Sequence, residues 1–285
     1  MRMIPLLAVM VATLTGQLAS SNQKPNPQIP KTVPVRLECS WILDEGPQFE
    51  PVAHVCQAAQ FTNRDLPNFV CDQTTWRSNE VAIKKQVGRK VVTGKRPMRD
   101  VITSEVRYID GKTEYVNVRA NGRPTNLDFP LRGMWTEGEF APPGLCVVGS
   151  QTRPIFVYRG EDDIDGMSAQ VFDYEVSKDK NQSWKWKLDN EEYLPSFRGS
   201  LWIEKSTGRL LRVSQEAFDV DGWVLWKDVA VTTDYRNVKI PDLGEYSLPV
   251  GSVTKSCTQN DPLCSTNTIA IRNCRKFAAK AHVVE

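Results

Sequence analysis

Acid–base or metal chemistry in this chain would have to run on two histidines, His54 and His282, one inside a predicted helix and one near the C-terminus. His54 stands two residues before Cys56, but positions i and i+2 of a helix point in different directions, so the spacing builds no Cys–His pair. The sequence contains no G-x-S-x-G nucleophile turn, no phosphate-binding P-loop and no G-x-G-x-x-G fingerprint. Glu161-Asp162-Asp163-Ile164-Asp165-Gly166 has the opening of a calcium loop, with oxygen ligands at the first, third and fifth places and glycine at the sixth. Its twelfth place is Phe172, where a bidentate carboxylate is required, so the run reads as a solvated turn. The pairs Glu137/Glu139 and Glu191/Glu192 supply the residue types of a carboxylate-dependent hydrolase, whose defining separation across a cleft does not register in a sequence. No catalytic residue, metal ligand or cofactor is assigned.

Seven cysteines follow, Cys39, Cys56, Cys71, Cys146, Cys257, Cys264 and Cys274. No C-x-x-C pair occurs and the spacings match no zinc pattern, so disulfides are expected, with one thiol left over. Cys257 and Cys264 flank a turn-rich loop whose closure costs little chain entropy, which favours that pair; Cys56–Cys71 is the second candidate.

The elements that would position these groups begin with an export signal. Met1-Arg2-Met3 leads into the apolar run Ile4 to Leu14 and then Gly16-Gln17-Leu18-Ala19-Ser20, a run too short to span a bilayer. No lipidated cysteine follows, so a soluble periplasmic or secreted product starting near Ser21 is expected. Residues 21–43 form a proline-punctuated arm (Pro25, Pro27, Pro30, Pro34), and residues 44–285 a single domain. Basic and acidic residues nearly cancel, with a formal net charge of +2, and no run of Lys and Arg stands out. Nucleic acid is not an expected partner.

Phe49, Val52, Cys56 and Ala59 recur at helical spacing, which predicts one helix over Phe49–Phe61, ended by Leu66-Pro67. The period then changes to 2. Ile102 to Tyr108 alternates, Asp110-Gly111 and Asn121-Gly122 supply hairpin turns, and Val171–Val176, Trp184–Leu188, Ser200–Ile203, Arg209–Val213, Trp223–Trp226 and Val229–Tyr235 read as strands. Connections this short leave no room for crossover helices, so the sheet is antiparallel. Met134–Gly149 reads as an insertion, and Thr268–Glu285 as a last strand or short helix. In Ser183-Trp184-Lys185-Trp186-Lys187 the tryptophans share one face, and Trp202, Trp223 and Trp226 fall in neighbouring strands. These five are the candidates for an apolar lining, against the alternative of ordinary core packing. Asn181-Gln182-Ser183 is a glycan acceptor in a eukaryotic host only.

Ser200-Leu-Trp-Ile-Glu-Lys-Ser-Thr-Gly-Arg-Leu-Leu-Arg-Val213 resembles the hairpin of LolA-like and LppX-like periplasmic proteins, an aromatic-Ile-acid strand followed by a Thr-Gly turn and a second strand. Leu66-Pro-Asn-Phe-Val-Cys71, Ile109-Asp-Gly-Lys112 and Asn273-Cys-Arg-Lys-Phe277 resemble a group of exported proteins abundant in soil bacteria of the acidobacterial type. The resemblance implies an incomplete antiparallel β-barrel wrapped over a helix, with an apolar concavity that in LolA-like proteins accepts acyl chains. The fold expected is therefore mainly β (α+β), a curved antiparallel sheet or incomplete barrel packed on one N-terminal helix. The function expected is an exported binding protein of the cell envelope for a lipid or acyl chain. A structural or protein-interaction module of the envelope, and the hydrolase above, stand as the alternatives.

Overall fold

Helix and strand limits follow the punctuation of the sequence. The computed structural model describes residues 8–11, 39–87, 90–125, 135–137, 147–148, 152–182, 184–188, 191–259 and 263–277. A short helix α1 (Trp41–Asp44) and one 3-10 turn at Pro47–Phe49 lead into α2 (Glu50–Asp65), which stops ahead of Leu66-Pro67, where the proline disfavours helical geometry in the residue before it. Phe49, Val52, Ala53 and Cys56 are buried while Glu50 and His54 face solvent, the single stripe that the spacing predicts.

In chain order the strands are β1 (Ala8–Val11), β2 (Phe69–Val87), β3 (Lys90–Ile109), β4 (Lys112–Ala120), β5 (Arg123–Pro124), β6 (Trp135–Glu137), β7 (Ile155–Ile164), β8 (Met167–Val176), β9 (Trp186–Leu188), β10 (Glu191–Tyr193), β11 (Ser196–Glu204), β12 (Leu210–Phe218), β13 (Trp226–Ile240), β14 (Gly244–Thr258) and β15 (Cys264–Lys276). Eleven of them form one antiparallel sheet in the order β5-β4-β3-β2-β15-β14-β13-β12-β11-β8-β7, open at β5 and β7 and not closed into a barrel. Asp110-Gly111, Asn121-Gly122 and Asp165-Gly166 turn the chain with positive φ at both residues. A second sheet, β10-β9-β1-β6, includes four residues of the segment that reads as the export signal: β1 lies parallel to β6 and antiparallel to β9.

The main core lies under α1 and α2, against the inner side of β7, β8, β11, β12 and β13. A second cluster, built on Phe69, Cys71, Val106, Tyr108, Ile269 and Ile271, fills the far end of the sheet. Within the main core β11 carries Gly199, between Phe197 and Leu201. A Cβ there would come within 1.9 Å of the Ser214 carbonyl oxygen. The missing side chain admits that carbonyl, which accepts a hydrogen bond from the Tyr174 hydroxyl at 2.6 Å. The Ser200 amide donates instead to Ser214 Oγ, at 3.0 Å.

Several expectations change. Trp223–Trp226 is a turn, not a strand, because the Val224 amide bonds back to the Asp221 carbonyl and β13 starts only at Trp226. The strand expected over Trp184–Leu188 is confined to Trp186–Leu188, and Thr268 to Lys276 belongs to a strand. Three disulfides are described. Cys257 bonds Cys264, Cys56 bonds Cys39 and Cys71 bonds Cys274. The Cys56–Cys71 pair is therefore replaced by two others: Cys56 lies in α2, held to the start of α1, whereas Cys71 on β2 faces the neighbouring strand β15. Cys146 lies outside the described residues, as do His282 and Glu139.

Candidate functional site

Alternation along β2 places Phe69, Cys71, Gln73, Thr75, Arg77 and Asn79 on one face, and all six are 3% exposed or less. The first two belong to an apolar cluster. The other four are polar, which is unusual on a face so fully covered. The register extends this polarity sideways. Arg77 stands between Asp100 on β3 and Asn267 on β15, followed by Thr254 on β14; Asn79 stands beside Ser265, followed by Ser256. Ser252 and Thr233 complete the tract, their hydroxyls 3.2 Å apart. Asn267, Thr254, Ser256, Ser265, Ser252 and Thr233 are all buried.

Arg77 anchors the tract. Its Nε and Nη2 donate to the two carboxylate oxygens of Asp100, both at 2.7 Å, a bidentate pair that neutralises the buried guanidinium. Nη1 remains, buried and with no hydrogen-bond partner among the described residues. The same holds for Gln73 Oε1, Thr254 Oγ1 and Ser256 Oγ. Unsatisfied buried polar atoms are costly and native proteins keep few of them; the indole nitrogens of Trp41, Trp186 and Trp226 are unpartnered among the described residues as well.

The tract borders the apolar core directly. Val231 is the cross-strand partner of Thr254, and Trp226 that of Thr258, two residues beyond Ser256. From Trp226 and Val229 the apolar surface continues to Trp184 and Trp186. The loop that carries those two rings is fixed by Asn181, whose amide donates to the carbonyls of Trp184 and Pro195 and whose oxygen accepts the Trp184 amide. Asn181 is 2% exposed, so its side chain is a structural tie and not a glycan acceptor. Trp186 packs at a tilt against Tyr193 and meets Trp184 edge-on, with centroids 5.5 and 6.0 Å apart.

No protein-family model matches the chain, and no curated protein does so. Solved structures do. A putative outer membrane lipoprotein-sorting protein domain from Vibrio parahaemolyticus matches at 13% identity and TM-score 0.33, covering 78% of this chain and 90% of that one. A DUF1329 family protein from Desulfovibrio piger matches at 12% and 0.33, covering 81% and 95%. A LolA superfamily protein from Nitrosomonas europaea matches at 9% and 0.31, covering 80% and 94%.

The five tryptophans are divided by the fold. Trp184, Trp186 and Trp226 share the main core. Trp202 lies on the outer side of β11, its Nε1 donating to Asp162 at 2.9 Å and its ring between the guanidiniums of Arg159 and Arg212. Trp223 is 62% exposed and meets Tyr193 edge-on. The acidic run is consumed by its hairpin: Glu161 pairs with Lys205, Asp163 accepts the Gly166 amide and Asp165 pairs with Arg236. Hydrogen bonds from Trp202 and from the Asp163 amide hold the Asp162 carboxyl below its usual range. No cluster of metal-ligating side chains occurs among the described residues. Glu192 pairs with Lys185 at 2.8 Å, and His54 is an exposed residue 3.9 Å from Glu50. A groove of ≈ 630 Å³ runs over the outer side of β7, β8, β11, β12 and β13; of its charged residues Arg159 pairs with Asp173 and Arg198 with Glu216, and Glu175 also lines it. The polar tract itself escaped the sequence reading, although Gln73-x-Thr75-x-Arg77-x-Asn79 is a period-2 signal in plain view.

Proposed function

We propose that this protein is an exported carrier that holds an amphiphile on the inner face of its open sheet, the head on the Arg77 tract and the tail toward Trp226, Trp186 and Trp184. The observation that carries the reading is the buried tract: Arg77 Nη1, Gln73 Oε1, Thr254 Oγ1 and Ser256 Oγ without partners, beside an apolar wall. Arg77, Thr254 and Ser256 offer donors, so the head they fit is rich in acceptor oxygens, as in a carboxylate or a phosphodiester.

Two further features support it. Three disulfides suit an oxidising compartment, the periplasm or the exterior, to which the leader would direct the chain. The leader's own residues Ala8–Val11 lie as a strand next to β9, which carries Trp186. Cleavage of the leader would vacate that strand position beside β9.

The test is native mass spectrometry of the secreted protein, before and after incubation with phospholipid vesicles, followed by lipid extraction. Wild-type protein should retain one amphiphile. Arg77→Met combined with Asp100→Asn leaves no carboxylate stranded; it should reduce retention about tenfold, the worth of a charge-assisted hydrogen bond, with the circular dichroism spectrum unchanged. Empty wild-type protein, or equal retention by the variant, would defeat the proposal.

A further inference from the structure

The strands β2 and β3 are far longer than their neighbours. β15 pairs with β2 only as far as Asn79, and β4 pairs with β3 only over Ile102–Ile109. From Glu80 and Pro97 onward the two strands continue alone, Val81 opposite Arg96 through to Val87 opposite Lys90. Pro97 marks the departure. Having no N–H, it suits a position where no further strand pairs. Eight residues at strand rise carry this ribbon about 25 Å past the sheet.

Its composition sets it apart from the rest of the chain. The segment Glu80–Pro97 carries Lys84, Lys85, Arg89, Lys90, Lys95 and Arg96 against one acid, Glu80. Its net +5 exceeds the net +2 of the whole chain, leaving −3 for everything else. Interleaved with them are Val81, Ile83, Val87, Val91 and Val92. Ile83 is 36% exposed, and Arg96 and Arg99 face solvent. Among the described ion pairs only Lys95–Glu80, at 3.4 Å, touches the ribbon beyond its base.

A lone two-stranded ribbon is marginal in water, and a purely polyanionic partner would gain nothing from aliphatic residues at its tip. Cations alternating with β-branched residues match an anionic bilayer surface, whose headgroups take the charge while the aliphatic chains enter the interface. We infer that the ribbon formed by Glu80–Val87 of β2 and Lys90–Pro97 of β3 is a membrane-docking arm that seats the protein on anionic lipid. This stands on the ribbon alone and not on the amphiphile site.

Flotation of the full secreted chain with phosphatidylcholine vesicles, with and without phosphatidylglycerol, tests it. Wild-type protein should float only with phosphatidylglycerol, and less at high salt. The variant Lys84→Gln/Lys85→Gln/Arg89→Gln/Lys90→Gln should lose at least about tenfold in vesicle affinity. A control removing the same charge elsewhere, Lys227→Gln/Lys239→Gln/Lys255→Gln/Lys276→Gln, should bind as wild type does. Should the first variant misfold by circular dichroism, Arg96→Gln/Arg99→Gln at the base replaces it, with a partial loss expected. Wild-type protein that stays with the aqueous fraction, equal loss in variant and control, or capture by heparin or DNA without flotation would each overturn the inference.

Discussion

Glu204 organises the turn between β11 and β12. Its carboxylate accepts hydrogen bonds from Thr207 Oγ1, from Ser206 Oγ at 3.1 Å and from Arg209 Nε and Nη2 at 2.9 and 2.6 Å. The Thr207 bond, followed by Arg209 and Ser206, lowers the Glu204 pKa against the opposing effect of burial. A carboxyl with a depressed folded-state pKa stabilises the fold above its unfolded value, near 4.5, and that contribution disappears as pH falls through the folded value. Glu204→Gln should therefore melt below wild type at neutral pH, and the gap should narrow in acid below pH 4.5. A gap independent of pH would refute this account of the turn. The acid and the Thr-Gly of the resemblance motif are thus legible in sequence as hairpin geometry, which is what short local patterns encode best. Gly199 was not so legible. Only the structure shows the Ser214 carbonyl in the place of its side chain. Gly199→Ala should cost about 3 kcal/mol in urea unfolding, the upper range for overpacking; a loss under about 0.5 kcal/mol, typical of surface substitutions, would exclude a backbone clash.

At the scale of elements, α2 and the turns were readable because each is fixed by residues within a few positions. The tryptophan strands were read less well. Period 2 identified the shared face of Trp184 and Trp186, but nothing local distinguishes a strand at Trp223 from the Asp221–Val224 turn, nor the outer position of Trp202 from an inner one. The polar tract was missed for a different reason: its members lie on strands separated by almost two hundred residues and converge only through pairing. The disulfides behave likewise. Cys257–Cys264 spans 7 residues and its loop suggested it, whereas Cys71–Cys274 spans 203. The larger closed loop makes Cys71–Cys274 the more stabilising of the two, by the chain-entropy account about 5 against 2.5 kcal/mol. Paired Cys→Ser variants should show that order in chemical denaturation, and equal losses would overturn it.

For the whole molecule, the near-zero charge total concealed an uneven distribution. Counting over the chain suggested an interleaved surface, while strand register gathers six cations and one acid on a single ribbon. The sheet is equally uneven in its order of assembly. β15 is the last of the described strands, yet it sits between β2, the first long one, and β14. Until residues 264–276 are available, β2 has no partner on that side, and the Arg77 tract lacks Asn267 and Ser265. Contacts of such separation form slowly, because loop closure must precede them. A chain emerging from its N-terminus would thus keep β2 half-paired and the tract unfinished until residues 264–276 arrived, and would stay pliant for that long.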